Sequence, residues 1–401
     1  MNSQTTTAVN GAPTLSHLAL PSLEISNFRA FRQLRIERFG QVNLIVGKNN
    51  VGKSCLLEAI RLYMESGSAR CLLQIMEDRD ELFGLRTYRG YRRSSEDAGS
   101  EAYMLSSIKN LFHGRKNDYD EQQPITIGPI DQPAVAVTVR TSWFAQVVDE
   151  DGVQRLKRVQ RGSGQQALFD ELEGELDAAV PGITVQIGST IEQSLPLQRL
   201  FDRPMYRPVF PPKPRLVFVP ANGIEMAQIS QMWDNITLTR LEQDVLRSIQ
   251  IISPRVEGLN IIGDPERTRE RIAIVKVSDF EDPVPLRSMG EGMNRLFGIA
   301  LALVTAQNGV LLVDEIESGL HYSVQLEMWK LVFAVAHRLN VQIFATTHSW
   351  DCIAAFQQAA AESTGEDGML IRLQRRGDDI VVTLFDEEKL AVATQEQIEV
   401  R

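Results

Sequence analysis

Gly47-Lys48-Asn49-Asn50-Val51-Gly52-Lys53-Ser54 lies between the apolar run Val42–Val46 and the helix-compatible stretch Leu56–Tyr63, so a complete G-x-x-x-x-G-K-[ST] loop joins a strand to a helix. Glycines at 47 and 52 allow a turn tight enough for successive N–H groups to face the β- and γ-phosphates of a nucleoside triphosphate. The helix that follows offers its positive end to the same phosphates. Lys53 adds a mobile cation and Ser54 a hydroxyl for Mg²⁺. Residues 47–54, with the adjoining Cys55, are the expected nucleotide-binding set of an α/β P-loop fold.

A second short apolar run, from Gly309 to Val313, ends in the adjacent carboxylates Asp314 and Glu315, as a buried parallel strand ends at a Mg²⁺ site. Asp314 is expected to hold the metal together with Ser54, and Glu315 to polarise a water for in-line attack on the γ-phosphate. The run Val341–Phe344 leads into Ala345-Thr346-Thr347-His348-Ser349, which puts His348 at the carboxyl edge of a neighbouring strand, suited to contact the γ-phosphate. Lys53, Glu315 and His348 are therefore the candidate catalytic residues.

Between the loop and these strand ends lies Arg287-Ser288-Met289-Gly290-Glu291-Gly292-Met293-Asn294-Arg295, followed by the apolar helical run Leu296–Val304. This stretch resembles the signature motif of ABC-type ATPases in the variant form S-x-G-E-G. The order that follows also matches the family: Walker B, a D-loop-like Glu317-Ser318-Gly319-Leu320-His321, then the switch His348. The resemblance implies a head-to-tail dimer in which Ser288, Gly290 and Glu291 of one subunit close on the nucleotide of the other.

The opening strand narrows the resemblance. Leu23-Glu-Ile-Ser-Asn-Phe28-Arg29-Ala-Phe31, then Leu34-Arg-Ile-Glu and Asn43-Leu-Ile-Val, is similar to the start of the RecF, structural-maintenance-of-chromosomes (SMC) and overcoming-lysogenization-defect ATPases. By eye the likeness covers about residues 22–65 and 272–385, and it looks like the stand-alone, AAA-labelled members found beside phage-defence effectors. It implies that Arg29 lies near the α-phosphate and that Phe28 or Phe31 lies near the base, unless these two rings pack in the core instead.

Composition sets wider bounds. The 401 residues are 43% hydrophobic and 7% aromatic, enough for one large or two moderate cores. A net charge of −10 argues against coating nucleic acid through general positive charge and leaves a local basic contact open. Two clusters are candidates for such a contact, Arg86 to Arg93 with interleaved tyrosines and Arg155 to Arg161, although solvated surface charge explains such runs as well. Cys55, Cys71 and Cys352 are scattered and outside metal spacing, which suits a reducing cytoplasm. No run is long enough to span a membrane, and residues 1–20 lack the pattern of a secretory signal.

The long separation of Lys53 from Asp314 requires inserted structure. The expected division is a disordered tail at 1–20 and a first ATPase lobe at 21–223, with Walker A, an antiparallel sheet and an insertion. A helical arm at 224–268 and a second lobe at 269–401, with signature, Walker B, D-loop and switch histidine, complete it. Apolar residues from Met226 to Ile252 recur at helical spacing, broken near Asp234–Thr237, and read either as a partner-facing arm or as a helix packed on its own subunit. Helical stretches are also expected at Ala102–Phe112, Gln166–Val180 and Ala354–Ala361, and a closing hairpin at Met369–Phe385.

The leading functional expectation is an ATP- and Mg²⁺-dependent ATPase in the cytoplasm whose ATP-driven dimer, or a higher homo-oligomer, gates a separately encoded nuclease or toxin. Relatives that carry their own nuclease continue into a Toprim domain, and only a short segment follows Phe385. A RecF-type DNA-repair ATPase and a nucleotide-retaining scaffold are the alternatives, the second opposed by an intact Glu315. A transporter ATPase fits the variant signature and long insertions less well.

Overall fold

A computed structural model describes residues 18–82, 105–115, 123–148, 154–159, 180–189, 191–197, 214–263, 271–363 and 368–386. The basic cluster at 86–93, residues 166–179 of the helix expected at 166–180 and nearly all of the N-terminal tail lie outside the described residues.

The phosphate-loop strand β3 (Val42–Val46) is buried along its whole length. It sits inside a six-stranded sheet whose order is β16 (Asp379–Phe385), β15 (Gly368–Arg376), β3, β14 (Gln342–Thr346), β13 (Val310–Val313) and β9 (Leu216–Val219). All neighbours pair in parallel except β16, which pairs antiparallel at one edge. A parallel sheet must be covered on both faces, and its strands then read as continuous apolar runs. Alternate side chains divide accordingly: Val42, Leu44 and Val46 enter one core, while Ile45 enters the other. Asn43 is the polar exception inside β3. Its side chain accepts from the Gly40 amide and donates to the Gly40 and Ile343 carbonyls, so no hydrogen-bonding group is left buried and unmet.

The first core lies between this sheet and an antiparallel one, ordered β2 (Phe31–Ile36), β1 (Leu23–Phe28), β4 (Ile125–Gly128), β5 (Val137–Val148), β7 (Val180–Ile187) and β8 (Ile191–Pro196), with β6 (Gln154–Val159) paired to β5. Helices α1 (Lys53–Met64) and α2 (Ala69–Glu77) fill the space between. Phe28 and Phe31 are buried in this core, which decides the open reading of these rings for packing over base contact.

The second core holds α5 (Glu291–Thr305), α6 (Tyr322–Leu339) and α7 (Trp350–Glu362). Apolar residues surround α5 on nearly every side, as befits a helix buried by neighbours all round. Helices α3 (Met226–Ile236) and α4 (Arg240–Ile252) pack on the same core through Trp233, Ile236, Val245 and Ile249. The stretch from Met226 to Ile252 is therefore a helical pair turned to its own subunit. Residues 256–263, grouped by sequence with the helical arm, form β10 (Val256–Gly263) instead. It pairs with β11 (Arg271–Val277), which pairs in turn with β12 (Val284–Pro285). The central sheet also draws β3 and β9 from one expected lobe and β13 to β16 from the other, because a parallel sheet is assembled by crossovers and not by consecutive strands.

Candidate functional site

The carboxyl ends of β3, β13 and β14 lie side by side, and the loops leaving them carry the residues that the motifs singled out. In the phosphate loop Gly47 has φ +146° and Gly52, the N-cap of α1, has φ +107°. A Cβ on Gly47 would come within 2.5 Å of the Leu373 carbonyl oxygen, so both the turn and the close approach of β15 require glycine there. Lys53 donates to the Gly47 and Lys48 carbonyls at 2.8 and 3.3 Å, closing the loop on itself. Burial lowers the Lys53 pKa, and the charges of Glu315, Asp314 and Glu317 oppose the shift.

Asp314 joins the strands. Ser54 Oγ donates to its Oδ2 at 3.0 Å and Thr346 Oγ1 to its Oδ1 at 2.5 Å, which ties the phosphate loop, Walker B and the end of β14 to one carboxylate. Glu315 follows with φ +50°, a left-handed conformation that costs a non-glycine residue roughly 1–2 kcal/mol. Side chains hold it at both ends: its N–H donates to Thr346 Oγ1 at 2.8 Å, and its carbonyl accepts from Arg295 Nη2 at 2.9 Å. The carboxylate itself is 42% exposed and sits 3.6 Å from His348 Nδ1. His348 Nδ1 is also 3.4 Å from Oε1 of Glu317, and the same oxygen accepts the His348 backbone N–H at 3.1 Å. Glu317 is buried, and its Oε2 has no hydrogen-bond partner.

These contacts bring Lys53, Ser54, Asp314, Glu315 and His348 together at one edge. Thr346, Arg295 and Glu317 belong to the same arrangement and carry no expected role from sequence, though each lies inside a motif stretch. Nothing in a linear reading says that a threonine two residues before the histidine reaches back to Walker B.

The signature residues occupy a different surface. Ser288 is exposed and donates to the Pro285 carbonyl; Gly290, with φ +102°, caps α5, and exposed Glu291 opens its first turn. Nothing lies within 4 Å of a Cβ built on Gly290, whereas one on Gly292 would meet the Gly319 carbonyl oxygen at 2.9 Å. The first turn of α5 thus packs on the D-loop of its own subunit and keeps its tip free.

Arg29 does not extend into open solvent beside the loop. Its guanidinium lies 2.5 Å from Glu58 and 2.7 Å from Glu81, with the side chain only 5% exposed. Burial raises the Glu58 pKa, and Arg29 and Arg79 counter the rise. The Cys55 thiol, pushed up first by burial and then by Glu58, lies 3.3 Å from Arg79 Nη2. Arg29, Cys55, Arg79, Asn110 and Arg115 line a cavity of about 370 Å³ next to the start of α1.

The donor set suits a Mg²⁺-nucleotide. It consists of one hydroxyl and one carboxylate as hard oxygen ligands, with an ammonium for phosphate, and among the described residues no cluster of three metal-ligating side chains exists. Magnesium is usually held this way, by one or two protein oxygens completed by phosphate and water.

Comparison with known proteins agrees with this geometry. Residues 19–111 match the family described as "AAA ATPase domain", and residues 236–351 match "AAA domain, putative AbiEii toxin, Type IV TA system". An ATP/GTP phosphatase of Helicobacter pylori is 23% identical over 359 residues, covering 86% of this chain and 89% of the relative. The DNA replication and repair protein RecF of Clostridioides difficile is 46% identical over 43 residues, 11% of this chain and 12% of that protein. Among solved structures, an SMC head bound to the C-winged helix domain of ScpA superposes with a TM-score of 0.46 at 15% identity, covering 92% of this chain and 99% of the other. Motif order, sheet topology and the two domain matches give the class: the chain carries AAA-type P-loop ATPase domains, consistent with an ATPase of the RecF, SMC and overcoming-lysogenization-defect type. Among the described residues no helix is long and apolar enough to cross a membrane.

Proposed function

We propose that the protein binds ATP with Mg²⁺ at this sheet edge, hydrolyses it, and uses the cycle to close a dimer that gates a separately encoded effector. The observation that carries the chemistry is the hydroxyl–carboxylate contact between Ser54 and Asp314, remote in sequence and joined at the mouth of the phosphate loop. Ser54 and Asp314 would hold the metal, which supplies charge neutralisation for the phosphates. Lys53 counters phosphate charge from within the loop. Glu315, partly exposed at the edge, accepts a proton from the attacking water, and His348, beside it, contacts the γ-phosphate. The cavity beside Cys55 is the place for the nucleoside end, which would require Arg29 to leave Glu58 or Glu81 before touching a phosphate.

The exposed tip of α5 supports the dimer, since Ser288, Gly290 and Glu291 present a free helix N-terminus, a shape suited to an anion brought by a second copy. The decisive variant is Glu315→Gln. It should bind ATP, form dimers detectable by light scattering with Mg²⁺-ATP, and lose roughly a hundredfold or more in turnover. Turnover at the wild-type rate would remove Glu315 from the role of base.

Phage defence through a nuclease or toxin partner is supported by the AbiEii, toxin–antitoxin description attached to residues 236–351. The similarity to RecF spans too little of either protein to favour DNA repair. Co-purification with the products of neighbouring genes in the presence of ATP should recover a stoichiometric partner. Recovery of the chain with itself alone, under conditions where Glu315→Gln dimerises, would count against an effector.

A further inference from the structure

Arg295 is a buried arginine with an unusual set of partners. Its Nη1 donates to the Pro220 carbonyl at 2.7 Å, and its Nη2 donates to the carbonyls of Asp314 at 2.7 Å and Glu315 at 2.9 Å. Among the described residues no carboxylate lies within ion-pair distance of it, and its Nε has no hydrogen-bond partner. Burying a guanidinium is costly, and here the charge is used to grip three backbone oxygens: one just past the end of β9 and two in the Walker B turn. Burial lowers its pKa, with Glu317, Asp314 and Glu315 opposing at longer range. Simple packing of α5 would need no cation at this point, because an apolar side chain in an already apolar helix would fill the same space.

The turn it grips contains Glu315, whose left-handed backbone is anchored on the other side by Thr346. Arg295 is in the second turn of α5, the helix whose N-terminal tip carries Gly290 and Glu291 and whose Gly292 packs against the D-loop. A helix moves as a rigid body over so short a distance, so any displacement of the tip is passed to the Glu315 carbonyl through the guanidinium. We infer that Arg295 is a positioning residue that holds Glu315 in its left-handed conformation and gears it to α5, so that each subunit's signature tip, when it engages the opposing nucleotide, sets the water-activating carboxylate of its own site. This rests on the proposed ATPase and dimer, and it adds a direction: Arg295 acts within its own chain, on its own Walker B, and not on the nucleotide across the dimer.

The experiment pairs a kinetic and a mixing measurement. Arg295→Met keeps length and apolar volume while removing the donors. It is expected to lower kcat roughly tenfold to a hundredfold, with KM and the affinity for a fluorescent ATP analogue within about twofold of wild type. Arg295→Lys, which keeps a charge and can reach one carbonyl, should recover part of kcat, and bound nucleotide reports that each variant is folded. Mixing Arg295→Met with Glu315→Gln then separates the two directions. In a mixed dimer the site formed by the Walker motifs of the Arg295→Met chain and the signature of the Glu315→Gln chain stays impaired if Arg295 acts on its own Walker B and is intact if it acts across the dimer. Random re-pairing of equal amounts should leave the mixture no more active than its parents, against about a quarter of the wild-type rate for action across the dimer. Unchanged kcat in Arg295→Met, or a mixture at about a quarter of the wild-type rate, overturns the inference while leaving wild-type ATPase activity in place. A wild-type protein with no Mg²⁺-dependent turnover would instead break the underlying reading.

Discussion

Lys53 and Glu315 sit close enough to feel each other's charge, yet the two turns that carry them are held in opposite ways. The phosphate loop is closed by itself. Its glycines take the positive φ values, Lys53 returns to the Gly47 and Lys48 carbonyls, and α1 starts at once from Gly52. The Walker B turn closes one hydrogen bond on Glu315 by itself, from the Ser318 N–H to its carbonyl at 2.9 Å, and takes its other restraints from elsewhere. Glu315 is held left-handed by a threonine from β14 and an arginine from α5, and Asp314 is held by Ser54 and the same threonine. A local turn can therefore be damaged only from within, whereas a turn clamped from outside can be tuned from elements that never touch substrate.

Lys53→Ala should have the largest effect, because it removes the cation that closes the phosphate loop on the Gly47 and Lys48 carbonyls. We expect loss of turnover by roughly a hundredfold or more together with weakened ATP binding, read by steady-state phosphate release and nucleotide titration. Binding at wild-type strength would show that the loop's backbone amides suffice. Thr346→Val sharpens the contrast from the other side. It keeps shape but removes both the acceptor for the Glu315 N–H and the donor to Asp314, and should reduce kcat about tenfold or more while nucleotide still binds. If kcat and binding fall together, the Walker B turn and the phosphate loop are one mechanical unit and the comparison fails.

Glu317→Gln should have the smallest effect of the three. The amide oxygen can still accept the His348 backbone N–H, so fold and binding should persist. Loss of the charge beside Nδ1 should lower kcat by about threefold to tenfold, and a change in the imidazole signals of His348 by NMR should accompany it. An unchanged His348 spectrum with lowered activity would mean that Glu317 acts elsewhere, through Lys53 or Arg295.

Legibility along the chain followed how far each feature reaches. The loop 47–54 was readable because its chemistry, spacing and flanking elements lie in one continuous stretch, and the hairpin of β15 and β16 was readable for the same reason. The segment at 256–263 was not, because β10 shows weak alternation and owes its pairing to β11 across residues that supply no helical or strand signal of their own. Phe28 and Phe31 could be assigned either to a base or to a core, and only the packing of β1 and β2 over α1 separated the two. Ile236 fits a helical period as a candidate partner contact, and the tertiary structure buries it beside Trp233 and Val245.

The amino-acid sequence by itself determined the parts whose interactions close within a few residues: the phosphate loop, the strand ends bearing Asp314, Glu315 and His348, the glycine-capped start of α5, and hence the class of ATPase. Only the tertiary structure decided what restrains those parts. Arg295, Thr346 and Glu317 acquire their roles from partners on other elements, and Arg29 turns toward Glu58 and Glu81 because those carboxylates are brought to it by α1 and the segment after α2. The physical reason is range. Backbone conformation and phosphate recognition are set by neighbours along the chain, while the clamping of a left-handed turn or the pairing of a buried charge depends on groups that meet only when the sheet is assembled.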